Sequence, residues 1–121
     1  MKLQETQEYL KDNVDGFISS SIVDAVEGLP LAGATADPNF DHSAPAGMYT
    51  DTFQSAKKAF EVVGWGTPNE ILIPGDPNTA ILISLGDGRY YQGIAISSKT
   101  PLGMVRAIFN KIKPEIEKLL P

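Results

Sequence analysis

His42 is the only histidine in the chain, and it directly follows Asp41. A carboxylate beside an imidazole is the pairing that orients a general base. This dipeptide is therefore the first place to look for proton transfer. It lies in a polar stretch with no second histidine and no cysteine, and a solvated side chain is the reading that fits such a neighbourhood. Ser19, Ser20 and Ser21 offer three hydroxyls, but a serine nucleophile needs a histidine at hydrogen-bonding distance, and these three read as strand residues. The stretches Gly64-Trp65-Gly66-Thr67 and Gly86-Asp87-Gly88 are glycine-rich. Neither has the GxxxxGKS or GxxxxGKT pattern whose backbone cradles phosphates. The carboxylates are scattered, with neither metal-ligand spacing nor a pair that periodicity would bring into one cleft. The expectation is a chain without catalytic residues, metal or cofactor, one that is not an enzyme and acts through its surfaces.

The elements that would carry those surfaces follow from periodicity. Leu3 to about Asn13 predicts a short amphipathic helix with Leu3, Leu10 and Val14 on one side. Asp15-Gly16 ends it. Phe17 to Thr35 predicts a hairpin turning at Glu27-Gly28, where glycine is free to take a positive φ. Ser43 is the expected N-cap of a helix from Ala44 to Val63, closed by Gly64. Tyr49, Phe53, Ala56, Phe60 and Val63 recur along it at steps of four and three. Met48, Thr52, Ser55, Ala59 and Val62 widen that stripe beside them. Three strands follow, Glu70–Pro74, Thr79–Leu85 and Tyr90–Ser97, and a last helix begins near Pro101. Pro114 predicts a kink or a fresh helix start within it. The runs ILI and AILIS are apolar without alternation, which implies strands covered on both faces. Such cover leaves no evident cavity for a small ligand.

With 121 residues the chain is expected to form one domain spanning 1–121. Its net charge of −5 argues against a nucleic-acid partner, which needs a basic surface. No apolar run approaches the roughly 18 residues that span a bilayer, so membrane insertion is not expected. The polar, acid-bearing start MKLQETQEYLKDN is neither a signal nor a transit peptide in character. Together with the absence of cysteine it suggests a cytoplasmic protein.

The order α-β-β-α-β-β-β-α suits an α+β fold in three α/β/α layers. Its five-stranded antiparallel sheet would carry the long helix on one face and the other two on the opposite face. This arrangement resembles the roadblock family of dynein light chains and small-GTPase regulators, a branch of the profilin-like and longin-like folds. VDAVEGLPLAGAT is similar to the family's first hairpin, and NEILIPG followed by TAILISLGDG to its third and fourth strands. TPLGMVRAIFNKI, with Leu102, Gly103, Val105 and Arg106, resembles the start of its last helix, where a Leu-Gly-x-x-Arg pattern is frequent in bacterial and archaeal members. The resemblance covers nearly the whole chain.

The resemblance implies a twofold homodimer in which the long helix and the third strand meet their copies and the two sheets become one. Residues expected near that interface are Tyr49, Phe53, Lys57, Phe60, Ile71 and Ile73. Pro74 and the short length of the third strand independently suit a sheet edge. The implied function is a non-catalytic platform that binds a small Ras-like GTPase and modulates its nucleotide cycle. The alternative is a nucleotide-independent adaptor in a motor, transport or signalling complex. Arg89 and Arg106, the only arginines, are the candidate partner-binding cations. An arginine inserted into a GTPase site is one use for such a residue, and an internal ion pair is the other. Trp65 reads as a cap over the edge of the core or an interface anchor.

Overall fold

The computed structural model describes residues 1–41 and 43–121. The Asp41-His42 pairing and the capping side chain of Ser43 therefore lie outside what is described. The elements are α1 (Leu3–Asn13), β1 (Phe17–Asp24), β2 (Pro30–Thr35), α2 (Ser43–Val62), β3 (Glu70–Ile73), β4 (Asn78–Leu85), β5 (Tyr90–Ser97) and α3 (Leu102–Leu119). One sheet holds all five strands in the order β2-β1-β5-β4-β3, and every neighbouring pair is antiparallel. The expected element order and sheet are therefore found, with β3 at one edge as its shortness suggested.

The first hairpin turns at the expected residues, for a local chemical reason. Asp24 Oδ1 accepts the backbone N–H groups of Val26 (2.8 Å) and Glu27 (3.1 Å). Gly28 then closes the turn at φ 73° and donates its N–H to the Asp24 carbonyl at 2.8 Å. An aspartate that satisfies two turn donors takes over what water would otherwise supply.

Strand alternation divides the core in two. On one face of the sheet, Ile22, Ile81, Leu85, Ile94 and Ile96 pack against Leu10 of α1 and Val105, Phe109 and Ile116 of α3. On the other, Val23, Leu82 and Tyr91 pack against Ala46 and Phe53 of α2. The first face also buries polar groups. Gln7 donates to Gln92 Oε1 at 2.9 Å, Gln92 returns the bond to Gln7 Oε1 at 2.8 Å, and Ser20 adds its hydroxyl to the same oxygen at 2.8 Å. Both glutamines are fully buried, and this ladder ties α1 to the two central strands.

Of the two outcomes expected at Pro114, the fresh helix start is not found. α3 continues as one helix through Pro114 and does not restart there. Proline removes one helical hydrogen bond, but Ile112 before it and Ile116 after it are both buried against the sheet. Burial on either side of an exposed proline holds the segment helical.

Candidate functional site

The long helix has two unlike sides. On one, Gln54 reaches over the first hairpin and donates to the carbonyl of Ala25, while Asp51, Lys58 and Glu61 are solvated. On the other, Tyr49 packs against the cluster around Phe53, as does Ile71 of β3. Beyond them Met48, Thr52, Ser55, Ala59 and Val62 form a stripe along the helix, all exposed, none charged. Met48 is 74% exposed and Val62 85%. β3 pairs only with β4, so its outer edge is unpaired among the described residues. Among the described residues the chain thus presents both an uncharged, exposed helix side and an unpaired strand edge.

The six residues expected at an interface take different places. Tyr49, Phe60 and Ile71 are half-buried along this side, and Ile73 reaches the surface at the β3 edge. Phe53 turns inward: it is fully buried, stacked on Tyr91 with ring centroids 5.1 Å apart, and has no surface left for a partner. Lys57 points at the β4–β5 turn and donates to the carbonyl of Gly88 at 3.0 Å. That approach is why residue 88 is glycine. Its φ is 82°, and a Cβ there would come within 2.9 Å of Thr67 Cγ2 and 3.2 Å of Lys57 Cε. Trp65 does not cap the core. It is 70% exposed and rests edge-on against Phe60, centroids 5.4 Å apart.

The two arginines also differ. Arg106 on α3 is held by Glu70 of β3 through two bonds, Nε to Oε1 at 3.0 Å and Nη2 to Oε2 at 2.6 Å. This is the fork geometry that guanidinium and carboxylate favour, and the Glu70 bond raises the affinity of Arg106 for its proton. Arg89 is exposed after the β4–β5 turn. No local pattern marks Glu70 as the partner of Arg106, because the two lie 36 positions apart.

On the α2 side of the sheet, Tyr91 Oη lies 3.0 Å from the carbonyl of Ala46 and 2.9 Å from Thr50 Oγ1. Burial pushes the phenol pKa above 10.0, and the Thr50 bond offsets part of that rise. Beyond Tyr91 the cover runs out. A cavity of about 780 Å³ opens between the first turns of α2 and the sheet. This corrects the expectation that two-sided helical cover leaves no such space. Continuous apolar runs such as AILIS report that both faces are shielded, but not that each is filled. Among the described residues no group of three or more histidine, cysteine, aspartate or glutamate side chains could hold a metal ion. No described helix is long and apolar enough to cross a membrane.

Neither a protein-family model nor a curated protein matches the sequence. Solved structures do match its shape. MglB of Myxococcus xanthus superposes with a TM-score of 0.87 at 17% identity, over 97% of this chain and 93% of that one. The gliding protein MglB of Thermus thermophilus gives 0.83 at 15% identity, over 97% and 87%. A Roadblock/LC7 domain from Streptomyces avermitilis gives 0.77 at 13% identity, over 96% and 98%. At these identities the likeness speaks for architecture, and it agrees with the element order, the five-stranded sheet and the helical cover on both faces: the chain has the roadblock fold.

Proposed function

We propose that this protein is a homodimeric regulatory platform that binds a small Ras-like GTPase and modulates its nucleotide cycle without a catalytic group of its own. The observation that carries the reading is the combination of an unpaired β3 edge with an uncharged, exposed side of α2 whose Met48 and Tyr49 line the same cavity as Ile73 of β3. A twofold axis beside β3 would pair β3 with its copy and lay the two α2 helices against each other. That arrangement covers the apolar stripe and removes the edge in one step. Interface cores are depleted of charge, as this stripe is. Tyr49, Phe60, Ile71 and Ile73 belong to this interface, with Met48, Thr52, Ala59 and Val62 added, while Phe53 supports it from behind.

The GTPase enters through the fold, since the roadblock proteins that the sequence resembles include small-GTPase regulators. Arg106 is already engaged by Glu70, which favours a platform that shapes the GTPase's own switch loops over one that inserts an arginine. Arg89, exposed at the end of its turn, is the cation for a rim contact. Calorimetric titration of the purified protein with a small Ras-like GTPase encoded beside it, loaded with GDP or with a nonhydrolysable GTP analogue, tests this. The expected result is binding about tenfold or more tighter to one nucleotide form, a difference of about 1.4 kcal/mol. Equal affinity for both forms would replace the regulator with a nucleotide-independent adaptor. No binding in either form would leave the GTPase without a role.

A further inference from the structure

We infer that the cavity between α2 and the sheet is a binding site for a small, flat, uncharged and mostly apolar molecule, hydrogen-bonded through a single polar group to Ser19. This inference goes beyond the dimer and the GTPase, although three of the cavity's wall residues, Met48, Tyr49 and Ile73, also belong to the proposed dimer interface.

The floor of the cavity is built from small residues that the register brings together. Ser19 of β1 lies opposite Ala95 of β5, Ala95 lies opposite Ala80 of β4, and two positions along Ser21 lies opposite Gly93. These five residues form one contiguous patch with no side chain larger than serine. The next row of the same face is filled: Val23 lies opposite Tyr91, and both pack against Phe53. Small residues are poor strand formers, and sheet packing alone would favour bulk here. Nothing in the backbone requires the glycine. Gly93 does not adopt a positive φ, and a Cβ added to it would meet its nearest neighbour, Ser21 Oγ, at 3.7 Å, an ordinary contact. The floor is therefore open without being forced open by the fold.

Ser19 is the second observation. It is 6% exposed and lines the cavity. Among the described residues its hydroxyl has no hydrogen-bond partner, whereas Ser20, one position on and facing the opposite side of the sheet, gives its hydroxyl to Gln7. No buried side-chain polar atom among the described residues lacks a partner, so this hydroxyl is reached by solvent through the cavity and can exchange that water for the polar group of a ligand. The volume of about 780 Å³ falls within the roughly 300–1,000 Å³ typical of small-molecule sites. Phe40, Met48, Tyr49 and Ile73 supply apolar walls. The charged side chains among the described lining residues are Asp37 and Asp41, with no lysine or arginine. That charge pattern opposes an anionic ligand such as a phosphate ester or a fatty-acid carboxylate. The occupant is thus a flat, neutral ring system carrying a hydroxyl, carbonyl or N–H.

N-phenyl-1-naphthylamine, which is uncharged, flat and apolar with one N–H, is a suitable probe. Titrated into the full chain, it is expected to bind saturably at one molecule per chain with a blue-shifted fluorescence gain. Ala95→Leu, which fills the floor, is expected to weaken binding at least tenfold. Ser19→Ala is expected to weaken it about threefold to tenfold while leaving Tm unchanged or raised. Gly93→Ala narrows the same floor with a smaller change, keeping the test valid should Ala95→Leu fail to fold, and is expected to raise Tm and weaken the probe. Unsaturable binding, or saturable binding that none of these substitutions alters, would overturn the site. So would binding confined to a monomeric variant, because a second copy of the chain would then be the natural occupant.

Discussion

The two faces of the sheet are finished differently. The α1/α3 face is closed by a continuous apolar cluster and a fully paired glutamine ladder. The α2 face has a compact centre around Phe53 and Tyr91. At one end of that face lies a cavity, and along the helix runs an exposed uncharged stripe. Stability and interaction are thereby divided between the faces. One face supplies the apolar burial that holds the fold, and the other carries the open features on which the proposed dimer and ligand site rest. This division makes substitutions on the two faces differ in kind as well as in size.

The largest loss is expected on the closed face. Phe109→Ala removes a ring that is 1% exposed and is expected to cost about 3–5 kcal/mol, read by urea unfolding. Gln7→Ala comes next, at about 1–3 kcal/mol, because it leaves Gln92 and Ser20 buried without their partner. A loss near zero there would mean that water replaces the amide and that this face is less closed than its packing indicates. At the centre of the α2 face, Tyr91→Phe removes one hydroxyl and is expected to cost about 1 kcal/mol. Because the folded phenol holds its proton above the ordinary pKa of 10.0, its contribution is complete below pH 10 and is lost as pH rises from there through the folded pKa. Wild-type stability should therefore fall above pH 10, and Tyr91→Phe should flatten part of that fall. The smallest intrinsic effect is expected on the exposed stripe. Ala59→Lys should change the stability of the individual chain by no more than about 0.5 kcal/mol while abolishing self-association.

Most of the architecture was legible because its signals are local. Asp24 to Gly28 carry a turn that needs no distant partner, and the steps of three and four in α2 mark which side faces the sheet. The bidentate Arg106–Glu70 pair and the Gln7–Gln92 ladder were not legible, since each joins residues far apart in sequence through a register that no single strand encodes. At Pro114 the sequence left a kink and a fresh start both open, and burial of Ile112 and Ile116 on either side of it keeps the segment one helix. Phe53 shows a limit of the stripe argument: periodicity placed it on the right side of α2 but could not tell a ring inside the protomer from one at its surface. The cavity was hidden for a related reason. Ser19, Ala80, Gly93 and Ala95 lie on three strands, and only their pairing brings these small residues into one place.

The central claim is that the α2 and β3 side is completed by a second copy of the chain. Size-exclusion chromatography with light scattering at micromolar concentration tests it most directly, comparing the wild type with Ala59→Lys, which sets like charges against each other across the proposed twofold axis. Twice the 13.0 kDa chain mass is expected for the wild type and a single chain mass for the variant, with both unfolding cooperatively. A wild type of 13.0 kDa, or a variant that keeps the dimer mass, would contradict it.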